Sequence, residues 1–280
     1  MVSIPYGIAV CDSIQGFEKF DSVVSVLAFG VRIELRCPRT ILAQLPEPIV
    51  PGAECVSHGQ ADAVLSVQAY GAAEGRPLLY EIAENGVVLA RETGLAAAAQ
   101  VVESWAQLTV ATLAKELVFV HAGVVGWRNR AIVVPGRSLS GKSTLVLALA
   151  EAGADYYSDE YAIFDSAGQV HPYWRLPKVR VASGQKAASC LLGGVLSGPP
   201  PIPIPLGWVL VSRYEAGSSW QPRPLTCGGT LLGLLDNAVP LRLKPEQSVK
   251  TLAKAVASAQ GYEGTRGEAA DFARQALSLL

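Results

Sequence analysis

The sequence predicts an α/β fold in which a smaller β-rich N-terminal domain precedes a larger domain of strands and helices. Three observations predict it. Residues 1–95 alternate apolar, β-branched runs with turn residues. Residues 131–152 pass from a short apolar run through a loop of glycine and serine into a strong helix former. From residue 228 onward the chain reads as helices, one of them opened by a proline. A chain of 280 residues, 50% hydrophobic and 17% charged, has enough apolar surface for such a core and too little charge for disorder.

The first strands are expected at Val23–Phe29 and Val31–Leu35, with Gly30 between them, then at Ala63–Tyr70 and Leu78–Ala83. Asn85-Gly86 joins Leu79–Ile82 to Val87–Ala90, and Asn-Gly is a favoured pair for a two-residue hairpin turn. No constellation of chemical groups occurs in residues 1–95, which form a domain without an assigned role. Ala98, Val101, Val102, Trp105, Leu108 and Leu113 recur at helical spacing and predict a helix over 96–116 that links the two halves. The second domain then covers 117–280. It opens with two apolar runs, Leu117–Val125 and Ala131–Pro135, folded back through Arg128-Asn129. Thr144–Ala152 is expected to be helical, with Gly153 as its C-terminal glycine. Asp155–Ser158 reads as a strand that ends in Asp159-Glu160. Residues 183–206, with five prolines between Pro199 and Pro205, read as a loop, and Gly207–Ser212 as a buried strand. Helices are expected at Gly228–Ala238, Pro245–Ala259 and Glu268–Leu279.

Within the second domain, Gly136–Thr144 reads G-R-S-L-S-G-K-S-T and completes the pattern G-x-x-x-x-G-K-[ST]. Gly136 and Gly141 allow tight backbone turns, so that successive N–H groups, Ser138 and Ser140 included, face a phosphate chain. Lys142 supplies a charge for the β- and γ-phosphates, and Ser143 a hydroxyl for Mg²⁺. Thr144 follows in the helix, whose positive dipole end points at the same phosphates. ATP and Mg²⁺ are the expected ligands.

Phosphoryl transfer also needs a metal ligand and a group for the proton of the acceptor. Asp159 and Glu160 supply both in principle, seventeen and eighteen residues beyond Lys142. A helix and a return strand fill that gap and end at the edge where the loop lies. Adjacent strand-end residues point to opposite faces, so one carboxylate is expected toward Mg²⁺ and the other toward the acceptor. The alternative is that Ser158-Asp159-Glu160 is a solvated turn. His121 opens H-A-G-V-V on the strand entering the hairpin, and is either a phosphate-facing imidazole or a satisfied core residue. Lys178 and Arg180, in W-R-L-P-K-V-R, and Arg213 face either solvent or phosphate.

The bulk properties set limits. A net charge of −1 gives no electrostatic grip on nucleic acid or anionic membrane. No apolar run reaches the length of a spanning helix, and the N-terminus has no basic segment followed by a cleavage site. Five scattered cysteines without a C-x-x-C pair are expected to be reduced thiols of a cytoplasmic protein.

Taken together, H-A-G-V-V (His121–Val125), G-R-S-L-S-G-K-S-T (Gly136–Thr144) and G-A-D-Y-Y-S-D-E (Gly153–Glu160) resemble the catalytic domain of HPr kinase/phosphorylase and its kinase-like relatives. The tail Y-E-G-T-R-G-E-A-A (Tyr262–Ala270) is similar to the closing helix region of such relatives in peptide-modification clusters. The resemblance covers about residues 117–280. It implies a P-loop core with a mixed sheet, similar to the nucleotide-binding core of phosphoenolpyruvate carboxykinases. It puts His121 in the place of an active-site histidine, and Gly136, Gly141, Lys142, Ser143 and Thr144 in the nucleotide loop. Asp159 and Glu160 take the place of paired aspartates, with Ser143 and Asp159 on the metal. Two departures stand out. Glu160 replaces the second aspartate, and the arginine-bearing signature of the family is not recognisable after residue 183. The expectation is therefore a stand-alone kinase acting on a hydroxyl, a serine of a peptide or protein or a small molecule, with a homo-oligomer as an open possibility. A nucleotide-binding module or partner subunit without transfer chemistry is the alternative, and a mechanical NTPase is a weaker third.

Overall fold

Two-residue turns with both central residues at positive φ set the first sheet. Phe29-Gly30 (φ 50° and 76°) joins β1 (Ser22–Ala28) to β2 (Val31–Cys37), and Asn85-Gly86 (φ 48° and 84°) joins β5 (Leu79–Glu84) to β6 (Val87–Glu92). Such turns match the right-handed twist of the strands they connect. The computed structural model describes residues 20–57, 59–70, 78–136, 141–175 and 202–280. The chain divides after Lys115 into two compact units.

In the first unit a short helix α1 (Arg39–Leu42) and β3 (Glu54–Cys55) precede β4 (Ala63–Tyr70). The sheet order is β3-β1-β2-β4-β5-β6, with β2 and β4 parallel and the other pairs antiparallel. Helix α2 (Leu95–Leu113) buries Ala98, Val102, Trp105, Ala106 and Val110 and packs on β2, β5, β6 and α1. The helix read as a link is thus a layer of the first unit, which extends through Lys115.

The second unit is built on an eight-stranded sheet. Its strands are β7 (Leu117–Trp127), β8 (Arg130–Pro135), β9 (Asp155–Ser158), β10 (Tyr161–Asp165), β11 (Gln169–His171), β12 (Ile204–Tyr214), β13 (Arg223–Leu225) and β14 (Gln260–Arg266). The order is β11-β10-β7-β8-β12-β14-β13, with β9 also on β7. β8, β12 and β14 run parallel, and β11 pairs with both β10 and β12, so the sheet coils back on itself. Helices α3 (Lys142–Glu151) and α6 (Ala269–Leu279) pack on one face through Leu145, Leu149, Phe272 and Ala276. On the other face lie α4 (Cys227–Leu235) and α5 (Pro245–Val256), through Leu234, Leu252 and Val256. The protein is therefore mixed α/β, with two mixed sheets and six α-helices among the described residues.

Most of the expected elements fall within a few residues of their places. Three do not. β12 begins at Ile204, inside the segment read as a loop, and takes Pro205 into its ladder opposite Gln169. β14 occupies a stretch rich in glycine that carries little strand signal of its own. It is held by parallel pairing along the whole length of Trp208–Tyr214. Beyond Asp159-Glu160 the chain does not leave the sheet, but continues as β10 along the same edge of β7.

One packing contact fixes the start of α3. A Cβ placed on Gly123 in β7 would overlap Val146 Cγ2 and lie 3.8 Å from the Lys142 carbonyl oxygen, so the strand passes directly under the first turn of the helix. Gly123→Ala is expected to force the two apart and cost about 1–3 kcal/mol by overpacking. A urea midpoint equal to that of the unmodified protein would count against this account of the contact.

No helix among the described residues is long and apolar enough to cross a membrane. Cys37, Cys55 and Cys227 are free thiols, and burial, with Asp21 nearby, pushes Cys37 up to about 12. Cys11 and Cys190 lie outside the described residues.

Candidate functional site

The central strand β7 organises the site. Its Ala122 pairs with Pro135 on one side, and His121 pairs with Tyr161 on the other. The His121 carbonyl accepts a hydrogen bond from Gly136 N–H at 3.1 Å, and Ala122 N–H donates to the Glu160 carbonyl at 3.2 Å. Gly136, His121 and Glu160 therefore stand side by side on three neighbouring segments, although thirty-nine residues separate the first and last in sequence.

Asp159 and Glu160 interrupt a strand. β9 pairs with Val124–Gly126 and β10 with Leu117–His121, so the two run in line along one edge of β7. Ser158 Oγ replaces the missing ladder partners by accepting the N–H of Glu160 at 3.1 Å and of Tyr161 at 3.0 Å. Interruptions of this kind re-aim side chains. Asp159 is only 3% exposed, which corrects the alternative of a solvated turn. Its Oδ2 accepts from Ser143 Oγ at 2.8 Å, and its Oδ1 from Tyr156 OH at 3.2 Å. Glu160 faces His121. Its Oε1 is 3.9 Å from His121 Nδ1, and its side chain is 30% exposed.

Strand β8 leads through Gly136 toward α3, whose N-cap, Gly141, has φ 84°. A residue with a Cβ is disfavoured in that conformation. Residues 137–140, with Ser138 and Ser140, lie outside the described residues. Lys142 opens the helix and is 8% exposed. Burial lowers the pKa of its ammonium, and the Glu160 and Asp159 carboxylates oppose that shift. Thr144 is exposed on the outer side of α3.

His121 stacks on Tyr161, with ring centroids 4.8 Å apart, and Phe119, Tyr161 and Tyr173 form an edge-to-face trio beneath. Burial lowers the pKa of the imidazole, Glu160 opposes the shift, and Lys142 reinforces it. The ring is therefore neutral near pH 7. Its Nδ1 is buried and makes no hydrogen bond among the described residues, so His121 is not a satisfied core histidine.

Sequence reasoning missed two arginines. Arg175 lies in W-R-L-P-K-V-R, where Lys178 and Arg180 drew attention; those two lie outside the described residues. Arg175 Nη2 binds Glu160 Oε2 at 3.2 Å, and its Nε is 3.7 Å from Asp159 Oδ1. Arg266, in the tail Y-E-G-T-R-G-E-A-A, ends β14 and is 4% exposed. Its Nη2 lies 3.0 Å from where a Cβ on Gly141 would be, and its guanidinium covers the Tyr214 ring at 5.4 Å. The remaining candidate, Arg213, is exposed.

No protein-family model matches the chain, and no curated protein is similar enough to it to count as a relative.

Among the described residues no group of three or more His, Cys, Asp and Glu is placed to hold a metal ion. Ser143 and Asp159 together offer a hydroxyl and a carboxylate oxygen 2.8 Å apart. That donor set suits Mg²⁺, which takes few protein ligands and fills its other positions with phosphate oxygens and water.

Proposed function

We propose that the protein is an ATP- and Mg²⁺-dependent kinase that transfers the γ-phosphoryl group to a hydroxyl, with a serine of a peptide or protein as the leading acceptor. The observation that carries the reading is the 2.8 Å bond between Ser143 and Asp159. It joins the end of the G-x-x-x-x-G-K-S pattern to the acidic pair across sixteen residues, with Lys142 buried beside both. A loop of this composition that bound nothing would have no need of a buried ammonium against two carboxylates.

The parts then take these roles. The loop that the G-x-x-x-x-G-K-S pattern defines and the start of α3 receive the phosphates, and Lys142 faces the β- and γ-oxygens. Ser143 and Asp159 would hold Mg²⁺, which supplies charge neutralisation on the same oxygens when bound. Glu160 orients the acceptor hydroxyl and takes its proton. The His121 Nδ1, which has no hydrogen-bond partner among the described residues, lies 3.9 Å from Glu160, a gap that a hydroxyl group between them would bridge. The acceptor oxygen forms a bond to Pγ, and the bond from Pγ to the bridging oxygen breaks. Its electron pair leaves with ADP, and the proton passes to Glu160 and then to water.

The test is turnover of γ-labelled ATP by purified protein with Mg²⁺, alone and with cell extract separated into small and large fractions. Label is expected in the peptide or protein fraction. Label in a small molecule would redirect the acceptor. Nucleotide bound tightly with neither label transferred nor ADP released would sink the kinase reading in favour of a binding module.

A further inference from the structure

The strand β8 divides the edge of the second sheet into two flanks. On one flank lie β7 and the acidic pair, with Asp159 bonded to Ser143 at 2.8 Å and Glu160 facing His121. On the other lie β12 and β14, which run parallel to β8. Val209 pairs with Val133, which puts Val211 level with Pro135 and Tyr214 three residues beyond it. At the rise of a parallel strand that is about 10 Å further along the strand direction, beside the turn from β8 into α3. Tyr214 and Arg266 stand opposite each other as the last pair of the β12–β14 ladder.

The Tyr214 ring is held on one face and at its tip. The guanidinium carbon of Arg266 covers one face, 5.4 Å from the ring centroid. Arg266 is 4% exposed, and its Nη2 lies 3.0 Å from where a Cβ on Gly141 would be, so the same guanidinium touches both the ring and the residue that precedes α3. At the tip, the Tyr214 hydroxyl donates to Glu268 Oε1 at 2.9 Å. Tyr214 is nevertheless 50% exposed, so the ring is open on the side that Arg266 does not cover. A flat aromatic surface fixed in advance loses little freedom when a second flat ring stacks on it, and every nucleobase has such a face.

The direction of a nucleotide in the site follows from the flanks. With its γ-phosphoryl end at Asp159 and Glu160, and its phosphates across the start of α3, its nucleoside end leaves on the side of β12 and β14. β12 is two strand spacings from β7, about 10 Å, so the two ends of one nucleotide fall on different flanks. We infer that the Tyr214 ring, backed by Arg266, is the stacking platform for the base of the bound nucleotide. The inference rests on the nucleotide-dependent reading of the same site and adds to it the residue that meets the base.

The test compares the unmodified protein with Tyr214→Ala and Tyr214→Phe. Binding of Mg²⁺·ADP and of Mg²⁺·tripolyphosphate, a phosphate chain without a base, is measured by calorimetry, with a melting curve for each variant. Tyr214→Ala is expected to weaken Mg²⁺·ADP by about 10–100-fold, the range for loss of one base–aromatic stack, and to change Mg²⁺·tripolyphosphate by less than about twofold. Tyr214→Phe keeps the ring and is expected to hold Mg²⁺·ADP affinity within about threefold. Equal losses of both ligands, or no loss of either, in folded Tyr214→Ala would overturn the inference and leave the kinase reading intact. A second measurement uses the unmodified protein alone. An ADP analogue with a photoreactive azide on the base is expected to label the peptide that carries Tyr214, and excess ADP to prevent it. Label confined to other peptides would overturn the inference as well. An unmodified protein that binds neither ADP nor tripolyphosphate would remove the kinase reading together with it.

Discussion

Lys142→Ala is expected to lower ATP turnover by at least about 10²–10³-fold while leaving the fold in place. Lys142 as a residue is 8% exposed, so its interaction with phosphate oxygens is less screened than that of a surface lysine. In the free protein its neighbours are Asp159 and Glu160, which partly offset the cost of burying it. On the proposed reading, phosphate oxygens become its partners on loading, and transfer increases their demand for positive charge. Removing the ammonium takes a fixed cation from the transition state and leaves Asp159 and Glu160 to repel the incoming phosphates. Lys142→Arg is expected to recover little, because a planar fork does not reproduce a compact point charge at the mouth of a helix. The measurement is steady-state ADP release with a melting curve for each variant. Full turnover by a folded Lys142→Ala protein would rule out the proposed role of the loop.

How far the site was legible depended on how local its signals are. Gly136–Thr144 lies within one strand–loop–helix unit, and the expected strand at 131–135 and helix from Lys142 are where the residues placed them. Gly123 was legible only as part of H-A-G-V-V. Its physical reason is the first turn of α3 lying against it, nineteen residues downstream. The acidic pair was found from its distance to Lys142. Its setting was not, because Ser158 supplies side-chain acceptors where a strand would continue its ladder, and such substitutions leave no periodicity.

The arginines were hidden for a topological reason. Arg175 returns to Asp159 and Glu160 only because the β10–β11 hairpin folds the chain back on itself. Arg266 reaches Gly141 only because β14 aligns in parallel with β12. Neither pairing can be read from the residues that take part in it. The family's arginine signature is not recognisable after residue 183, while Arg266, 4% exposed, stands at the loop and the partly buried Arg175 at the acidic pair. The allegiance of α2 failed in the same way. Its helical spacing was clear, but whether a helix connects two units or covers one sheet depends on what meets its apolar face.

The division of labour between the two carboxylates gives the second large effect. Asp159 is tied to Ser143 and Tyr156 and is almost fully buried, as suits a residue that meets the metal through an oxygen held in a fixed direction. Glu160 is half-buried, has one methylene more of reach, and faces His121. Glu160→Gln is therefore expected to lower turnover with a hydroxyl acceptor by about 10²–10⁴-fold, the usual contribution of a general base, with Mg²⁺·ADP affinity unchanged. Asp159→Asn is expected to raise the Mg²⁺ concentration needed for half-maximal turnover and to weaken Mg²⁺·ADP binding, while nucleotide binding without metal survives. The two variants separate cleanly in a titration of rate against Mg²⁺, because excess metal can compensate for a weakened ligand and cannot replace a proton acceptor. If added Mg²⁺ restores Glu160→Gln and leaves Asp159→Asn inactive, the roles are reversed. The 2.8 Å contact of Ser143 with Asp159 would then be a helix-start brace rather than half of a metal site.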